Sequence, residues 1–321
     1  MSEQKSARPT PSAGLPECTS SARRSRWLGA SWRLSWRLAL ALGGVACEDQ
    51  QVVIGVFTPE RPRFTAPQKV ATLNDDIARD EDPTLTGDLL EIHFMSERGT
   101  SQDIWISRRA GLDSPWETPT VDLAENLNTE DDDDTPAISN DGLRMWFFRG
   151  SAERSGIWMS ERASRDAPWG EPSYVDALNP GHDDGTQAMN PHVDLPELRA
   201  VVGLNGPATQ SWDLAIASRE RPEDEWGEFV PLAELNDAGD QLAPFLFDDG
   251  RQILFRSGDD LYWARRPGTN DAFEPPQPLK EVNVPDAREN DPYLSPDGSI
   301  LFFSSERSGG TDIYEARRIA P

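Results

Sequence analysis

The chain has 321 residues, 36% of them hydrophobic and 27% charged, which suits a packed core under a strongly polar surface. With 31 Lys plus Arg against 56 Asp plus Glu, the formal charge is −25. That field repels polyphosphate, which excludes nucleic acid and favours cations or cationic surfaces as partners. The two cysteines, Cys18 and Cys47, both precede the part that reads as folded, so a disulfide, thiol chemistry and cysteine-ligated zinc are excluded there.

Residues 1–37 are rich in Ser, Pro and Arg, with Arg23, Arg24, Arg26, Arg33 and Arg37. The apolar run LALALGGVA (38–46) and then Cys47 follow. A basic segment, a short apolar segment and small residues describe a secretory signal, and the run is too short to span a bilayer. The ending GVAC resembles a bacterial lipoprotein signal, with Gly44 where that motif usually has Leu. The resemblance implies cleavage of 1–46, acylation of Cys47 and a linker over 47–63. It places the mature chain, of formal charge −30, in the periplasm or outer membrane or on the cell surface, held to a membrane only by lipid. An ordinary signal peptide cut near Ala46 is the alternative.

Five copies of one unit follow, and internal repeats decide fold before any local reading does. They are DPTLTGDLLEIHFMSERGTSQDIWISRR (82–109), TPAISNDGLRMWFFRGSAERSGIWMSER (135–162), NPHVDLPELRAVVGLNGPATQSWDLAIASR (190–219), APFLFDDGRQILFRSGDDLYWARR (243–266) and DPYLSPDGSILFFSSERSGGTDIYEARR (291–318). The gaps Asp82 to Asp103, Thr135 to Gly156 and Asp291 to Asp312 are each 21 residues. Asp-Gly pairs before apolar runs mark hairpins, because Gly accepts positive φ. The third copy has VDLPEL instead, so its hairpin is expected to be distorted. No helix is expected after residue 60.

A further element runs from an aromatic to an Asn after the first four copies: 116–128, 169–179, 226–236 and 273–283. The fifth copy lacks it, but FTAPQKVATLN (64–74) stands before the first. Each unit therefore reads as a four-stranded antiparallel sheet, the first strand following the Pro and the fourth starting at the aromatic. The last sheet takes its fourth strand from 64–74, closing a ring. The expected fold is an all-β, five-bladed β-propeller over 64–320, with blades 82–128, 135–179, 190–236, 243–283 and 291–318 plus 64–74.

The pattern Ser-Pro-Asp-Gly, apolar strand, Ser-x-Arg, Gly-Gly, Asp-Ile-Tyr resembles the TolB-type propeller repeat of bacterial envelope proteins, over 64–318. Members of that family act mostly as envelope scaffolds or as parts of larger proteins. The resemblance implies a non-catalytic binding module whose partner is an envelope protein or glycan. Fold alone does not fix function.

Recurrence in several blades marks Arg98, Arg307, Asp103, Asp213, Asp260 and Asp312 as structural, expected as hydrogen-bonded pairs tying neighbouring strands. Trp116, Trp169 and Trp226 recur likewise and are expected to pack blades. The loops entering each blade hold 17 carboxylates against Arg79 and Arg288. On one face of a propeller they would form an acidic rim: Asp80, Asp82, Asp131, Asp132, Asp133, Asp134, Asp183, Asp184, Asp240 and Asp291. Crowded carboxylates call for a cation or a basic partner, and oxygen-rich, His-poor loops suit Ca²⁺ if a cofactor is present at all. His182 with Asp183, Asp184 and His192 is a weaker zinc pattern, and His93 sits in an apolar strand as a packed residue. No Gly-x-Ser-x-Gly occurs and no Ser–His–Asp set is apparent. Near-equivalent blades suit binding better than catalysis. The alternative is a carbohydrate-active or glycan-binding propeller using channel carboxylates. A monomer is expected.

Overall fold

The computed structural model describes residues 60–319 apart from 182–184, 195 and 208–210. Blade 1 is built from Asp80–Leu85, Glu91–Ser96 and Asp103–Arg108, and blade 2 from Asp133–Ile138, Arg144–Arg149, Gly156–Glu161 and Ser173–Tyr174. Blade 3 has Gln187–Val193, Arg199–Asn205, Asp213–Ser218 and Val230–Pro231, and blade 4 has Gln241–Phe247, Gln252–Ser257, Asp260–Arg265 and Gln277–Pro278. In blade 5, Glu289–Leu294, Ile300–Ser305 and Asp312–Arg317 are completed by Gln68–Lys69 from the other end of the fold. Each inner strand neighbours the next, and the last neighbours the first, so the five-bladed ring is closed. Blade 1 has three strands, its fourth reduced to the bridge Ile106↔Thr120. A 3-10 turn at Asp176–Leu178 is the one helical element among the described residues.

The outer strands pair four residues beyond the aromatic rather than at it, and the aromatic has a separate task. Trp116, Trp169, Trp226 and Phe273 lie under the guanidinium groups of Arg109, Arg162, Arg219 and Arg266, 4.0–4.5 Å from ring centre. Each Arg Nε donates to the carbonyl of a turn residue in its own blade, Leu89, Gly142, Glu197 or Gly250. The Arg that ends each of the first four repeats thus caps a hairpin turn that no strand can satisfy.

The Asn that closes each element is a bracket. Asn128 accepts from the Ile104 amide at 2.8 Å and donates to the Ile104 carbonyl at 3.0 Å. Asn179, Asn236 and Asn283 do the same to Ile157, Leu214 and Leu261. Asn74 brackets Ile313, 239 residues away, at 2.6 and 2.9 Å, which locks the two ends of the ring. Only an amide offers one donor and one acceptor in this spacing.

At its described residues the third hairpin keeps the pattern of the others. Asp194 accepts from the Leu198 and Arg199 amides at 3.0 and 2.8 Å, and Glu197 takes φ 68° where its counterparts Gly142 and Gly250 have 75° and 82°. The core lies between blades. Ile104, Ile106 and Leu127 of blade 1 meet Met145, Phe147 and Trp169 of blade 2, each 0–2% exposed. Burying side chains of this size contributes about 1.5–3 kcal/mol apiece.

Candidate functional site

All five inner strands carry the same irregularity. Pro does not precede the strand but sits inside it, at a register shift, as Pro must where it cannot donate to a ladder. The residue before it is left-handed every time: Asp82 (φ 56°), Thr135 (48°), Asn190 (50°), Ala243 (50°) and Asp291 (51°). None is Gly, so each position stores about 1–3 kcal/mol of backbone strain. These five residues, their prolines and the residues that follow line a cavity of about 50 Å³ on the ring axis.

Acids gather along one arc beside this cavity, with Asp82 and Asp291 in its lining. Blade 1 supplies Glu81 and Asp82, blade 5 Asp291 and blade 2 Asp134, whereas blades 3 and 4 place Met189, Asn190, Leu242 and Ala243 at the same positions. One carboxylate oxygen each from Glu81, Asp82 and Asp291 lie within 4.8 Å of one another. Glu81 is held by Arg79 at 2.6 Å. Asp291 Oδ2 accepts from the Ser304 hydroxyl at 2.7 Å and the Asp82 amide at 3.4 Å, while its Oδ1 is buried without a hydrogen bond. Asp134 Oδ1 and the Thr135 hydroxyl are also buried without one. Among the described residues no Lys or Arg nitrogen pairs with Asp82, Asp134 or Asp291. Arg256 approaches, but its guanidinium donates to the Gly258 carbonyl at 2.6 Å.

Burial, and then the like charges of Asp291, Glu81 and Asp134, drive Asp82 well above the carboxylate range. Burial pushes Asp134 to about 8; the Thr135 hydroxyl beside it offsets little, and Asp132, Asp291 and Asp133 push further the same way. Glu81 is raised by burial and by Asp291, against the pull of Arg79. Without a cation, this arc stays in place by holding protons.

The expected rim therefore separates into distinct groups. Asp80 and Asp133 are 0% exposed and belong to the scaffold. Asp80 receives Arg98 at 2.8 Å, Asp133 receives Arg149 at 2.6 Å, and Glu289 of blade 5 receives Arg307 at 3.1 Å. The same guanidinium groups cap the carbonyls of Leu73, Leu127 and Val282 and stack on aromatic pairs such as Phe147 and Trp158. The recurrent Arg thus pairs with the acid opening the inner strand and not with Asp103 or Asp312. Asp103 faces the Ser101 hydroxyl, and Asp312 faces Ser308 and Lys69. Asp132 and Asp240 remain exposed in the loops, where each accepts an amide of the preceding blade, Gln102 or Trp212. Asp131 is half-buried in the same loop as Asp132. Asp183, Asp184, His182 and Cys47 lie outside the described residues.

Sequence reasoning missed Glu81 as part of this arc and Arg149 as an equivalent of Arg98. Arg149 lies directly opposite Asp133, whereas Ser96 stands opposite Asp80 and Arg98 comes two residues later. The X-Pro positions themselves were visible as the start of every copy.

Further along the inner strands a second cavity, of about 80 Å³, is lined by Thr84, His192, Phe245 and Tyr293. His192, Phe245 and Tyr293 pack ring against ring, with centroids 4.2 and 5.2 Å apart. His192 Nε2 is bonded to the Leu246 carbonyl at 2.9 Å, and burial depresses its pKa to about 4, so it is neutral. His93 is buried against Trp169, 0% exposed, in the packed position expected of it.

No family model and no curated protein matches the sequence. Solved structures do match in shape. An α-L-arabinofuranosidase from Podospora anserina, in complex with cellotriose, shares 11% identity at a TM-score of 0.57, over 81% of this chain and 98% of that one. An endo-arabinase from Bacteroides thetaiotaomicron shares 16% at 0.52, over 80% and 98%. TolB from Acinetobacter baumannii shares 15% at 0.44, over 77% of this chain and 56% of its own. At these identities the likeness concerns the fold alone.

Proposed function

We propose that the chain is an exported, Cys47-anchored propeller that binds rather than catalyses, presenting the acidic arc of its channel to a cationic group of an envelope component. The observation that carries the reading is the arc itself: four carboxylates on three neighbouring blades, with buried oxygens lacking hydrogen bonds and one paired Arg between them. A positive ligand removes the desolvation and repulsion that this arrangement otherwise sustains. The lipoprotein-like segment ending at Cys47 supports export.

Carbohydrate chemistry is the second reading, favoured by the channel carboxylates. Glycosidase carboxyl pairs stand about 5–5.5 Å apart for retention and about 6.5–9.5 Å for inversion. Here three carboxylate oxygens fall within 4.8 Å. The cavity of about 50 Å³ is also far below the roughly 300–1,000 Å³ of small-molecule sites. The small cavity suits an ion or a single cationic head better than a sugar ring.

The test is crosslinking in live cells with tagged full-length chain, comparing wild type, Glu81→Gln/Asp291→Asn and Cys47→Ser. A stoichiometric partner lost with the acid substitutions supports the reading. Equal capture by wild type and the acid variant refutes the role of the arc.

A further inference from the structure

Resting on the reading of the acidic arc as the binding end, we propose that Glu81, Asp82 and Asp291 form a site for a hard divalent cation of the calcium class, at the seam between the last and first blades. The first argument is span. Two ligands on opposite sides of a Ca²⁺ ion, at about 2.3–2.6 Å each, stand up to roughly 5 Å apart, whereas Mg²⁺ at about 2.0–2.1 Å reaches little over 4 Å. The three oxygens lie within 4.8 Å of one another, a spacing that a calcium-sized ion can bridge.

The second argument is the set of donors left idle. Asp291 and Thr135 are each 7% exposed, line the same cavity, and present an oxygen with no hydrogen bond. Thr135 is not an acid. Its buried hydroxyl, beside the Asp134 carboxylate, adds a neutral oxygen to the charged ones. Buried polar atoms are paired in all but a few cases, and those exceptions ask for a ligand or an ion. The third argument is donor chemistry. The side chains of Glu81, Asp82, Asp291 and Thr135 offer oxygen alone, and the one imidazole that lines the cavity, His192, has its Nε2 committed to the Leu246 carbonyl. That selects a hard cation over zinc or copper. The cavity of about 50 Å³ has room for such an ion and a water or two.

The site joins blade 5 to blade 1. An ion there replaces repulsion between Asp291 and Asp82 with a shared bond across the interface, so binding stabilises the closed ring. It also displaces protons, because carboxylates must be ionised to ligate.

The experiment uses full-length protein stripped with EDTA, titrated calorimetrically with CaCl₂ and with MgCl₂, alongside thermal melts. The expected result is one saturable calcium event per chain, at least tenfold tighter than magnesium, with a rise in Tm that is larger at pH 7.5 than at pH 5.5. Asp82→Asn/Asp291→Asn is expected to melt in EDTA at or above wild type, having lost like-charge repulsion, while losing the calcium response. Thr135→Val, which leaves charge unchanged, weakens calcium several-fold and so separates coordination from diffuse attraction. Absence of a calcium event in wild type overturns the proposal, as does an undiminished event in the double Asn variant. A lysine-rich peptide is titrated in parallel. Peptide binding that needs the acids, without calcium binding, overturns the cation site and leaves the proposed function standing; loss of both overturns both.

Discussion

Arg149→Met tests the scaffold logic of the ring most sharply. Arg149 is 8% exposed and Asp133 is 0% exposed. Their contact is 2.6 Å, and a second guanidinium nitrogen caps the Leu127 carbonyl at 2.6 Å. Removing the cation strands a buried carboxylate, which costs about 3–5 kcal/mol, and leaves a carbonyl unpaired. Asp133 keeps the Thr129 amide and hydroxyl at 2.7 and 2.8 Å, which places the loss near the middle of that range, about 4 kcal/mol. For a ring of this size that lowers Tm by roughly 10 °C. Blade 4 shows the neutral solution: Gln241 occupies the position of Asp133, taking the Asp237 amide and donating to Ser257. The double variant Arg149→Met/Asp133→Asn is therefore expected to recover most of the loss. Burial already raises Asp133. A raised carboxylate contributes stability that is full below its unfolded pKa and is lost as pH rises through the folded one. The single variant should then be less destabilised at pH 5 than at pH 8. Urea unfolding at both pH values measures all three quantities. A single-variant loss below about 1 kcal/mol, or a double variant no better than the single, refutes the reasoning.

Asn74→Asp replaces the donor of the bracket on Ile313 and is expected to cost about 2–3 kcal/mol, with faster proteolysis of the 60–74 segment; Asn128→Asp costs the same without exposing that segment, as limited proteolysis shows. In EDTA, ring stability should fall as pH rises from about 4 through about 8, because the folded pKa of Asp134, about 8, lies above its unfolded value of 3.8. Asp134→Asn flattens that slope in denaturation curves collected across the range. Trp169→Ala removes a side chain that is 0% exposed and the platform under Arg162, at a cost of about 3–5 kcal/mol in the same assay.

Much of the ring was legible because its devices repeat. The Asn at 74, 128, 179, 236 and 283 and the aromatic ten to twelve residues before it follow one rule, so the closing of blade 5 by 64–74 could be read from spacing. What repetition could not reveal is which way alternate residues face. Asp80 and Asp82 are two residues apart, yet Asp80 is sealed against Arg98 and Asp82 lines the axial cavity. That division comes with the bulge at Pro83, and a run of acids gives no hint of it. Arg149 escaped notice because its guanidinium reaches the place of Arg98 from a position two residues earlier. The outer strand of blade 1 shrank to a bridge at Thr120 although its aromatic, Trp116, is in place.

The left-handed residue ahead of each inner proline has a consequence for inheritance. The backbone there is imposed by the bulge and not by the side chain, as Asp, Thr, Asn and Ala all adopt it. Those five positions form a lip whose chemistry can be rewritten letter by letter while the frame stays constant. A duplicated copy of this gene could turn this mixed lip into a basic, amide or apolar one with at most five substitutions. The fold would pass unchanged through every intermediate, and a family of such rings could diverge in what they hold long before they diverge in how they close.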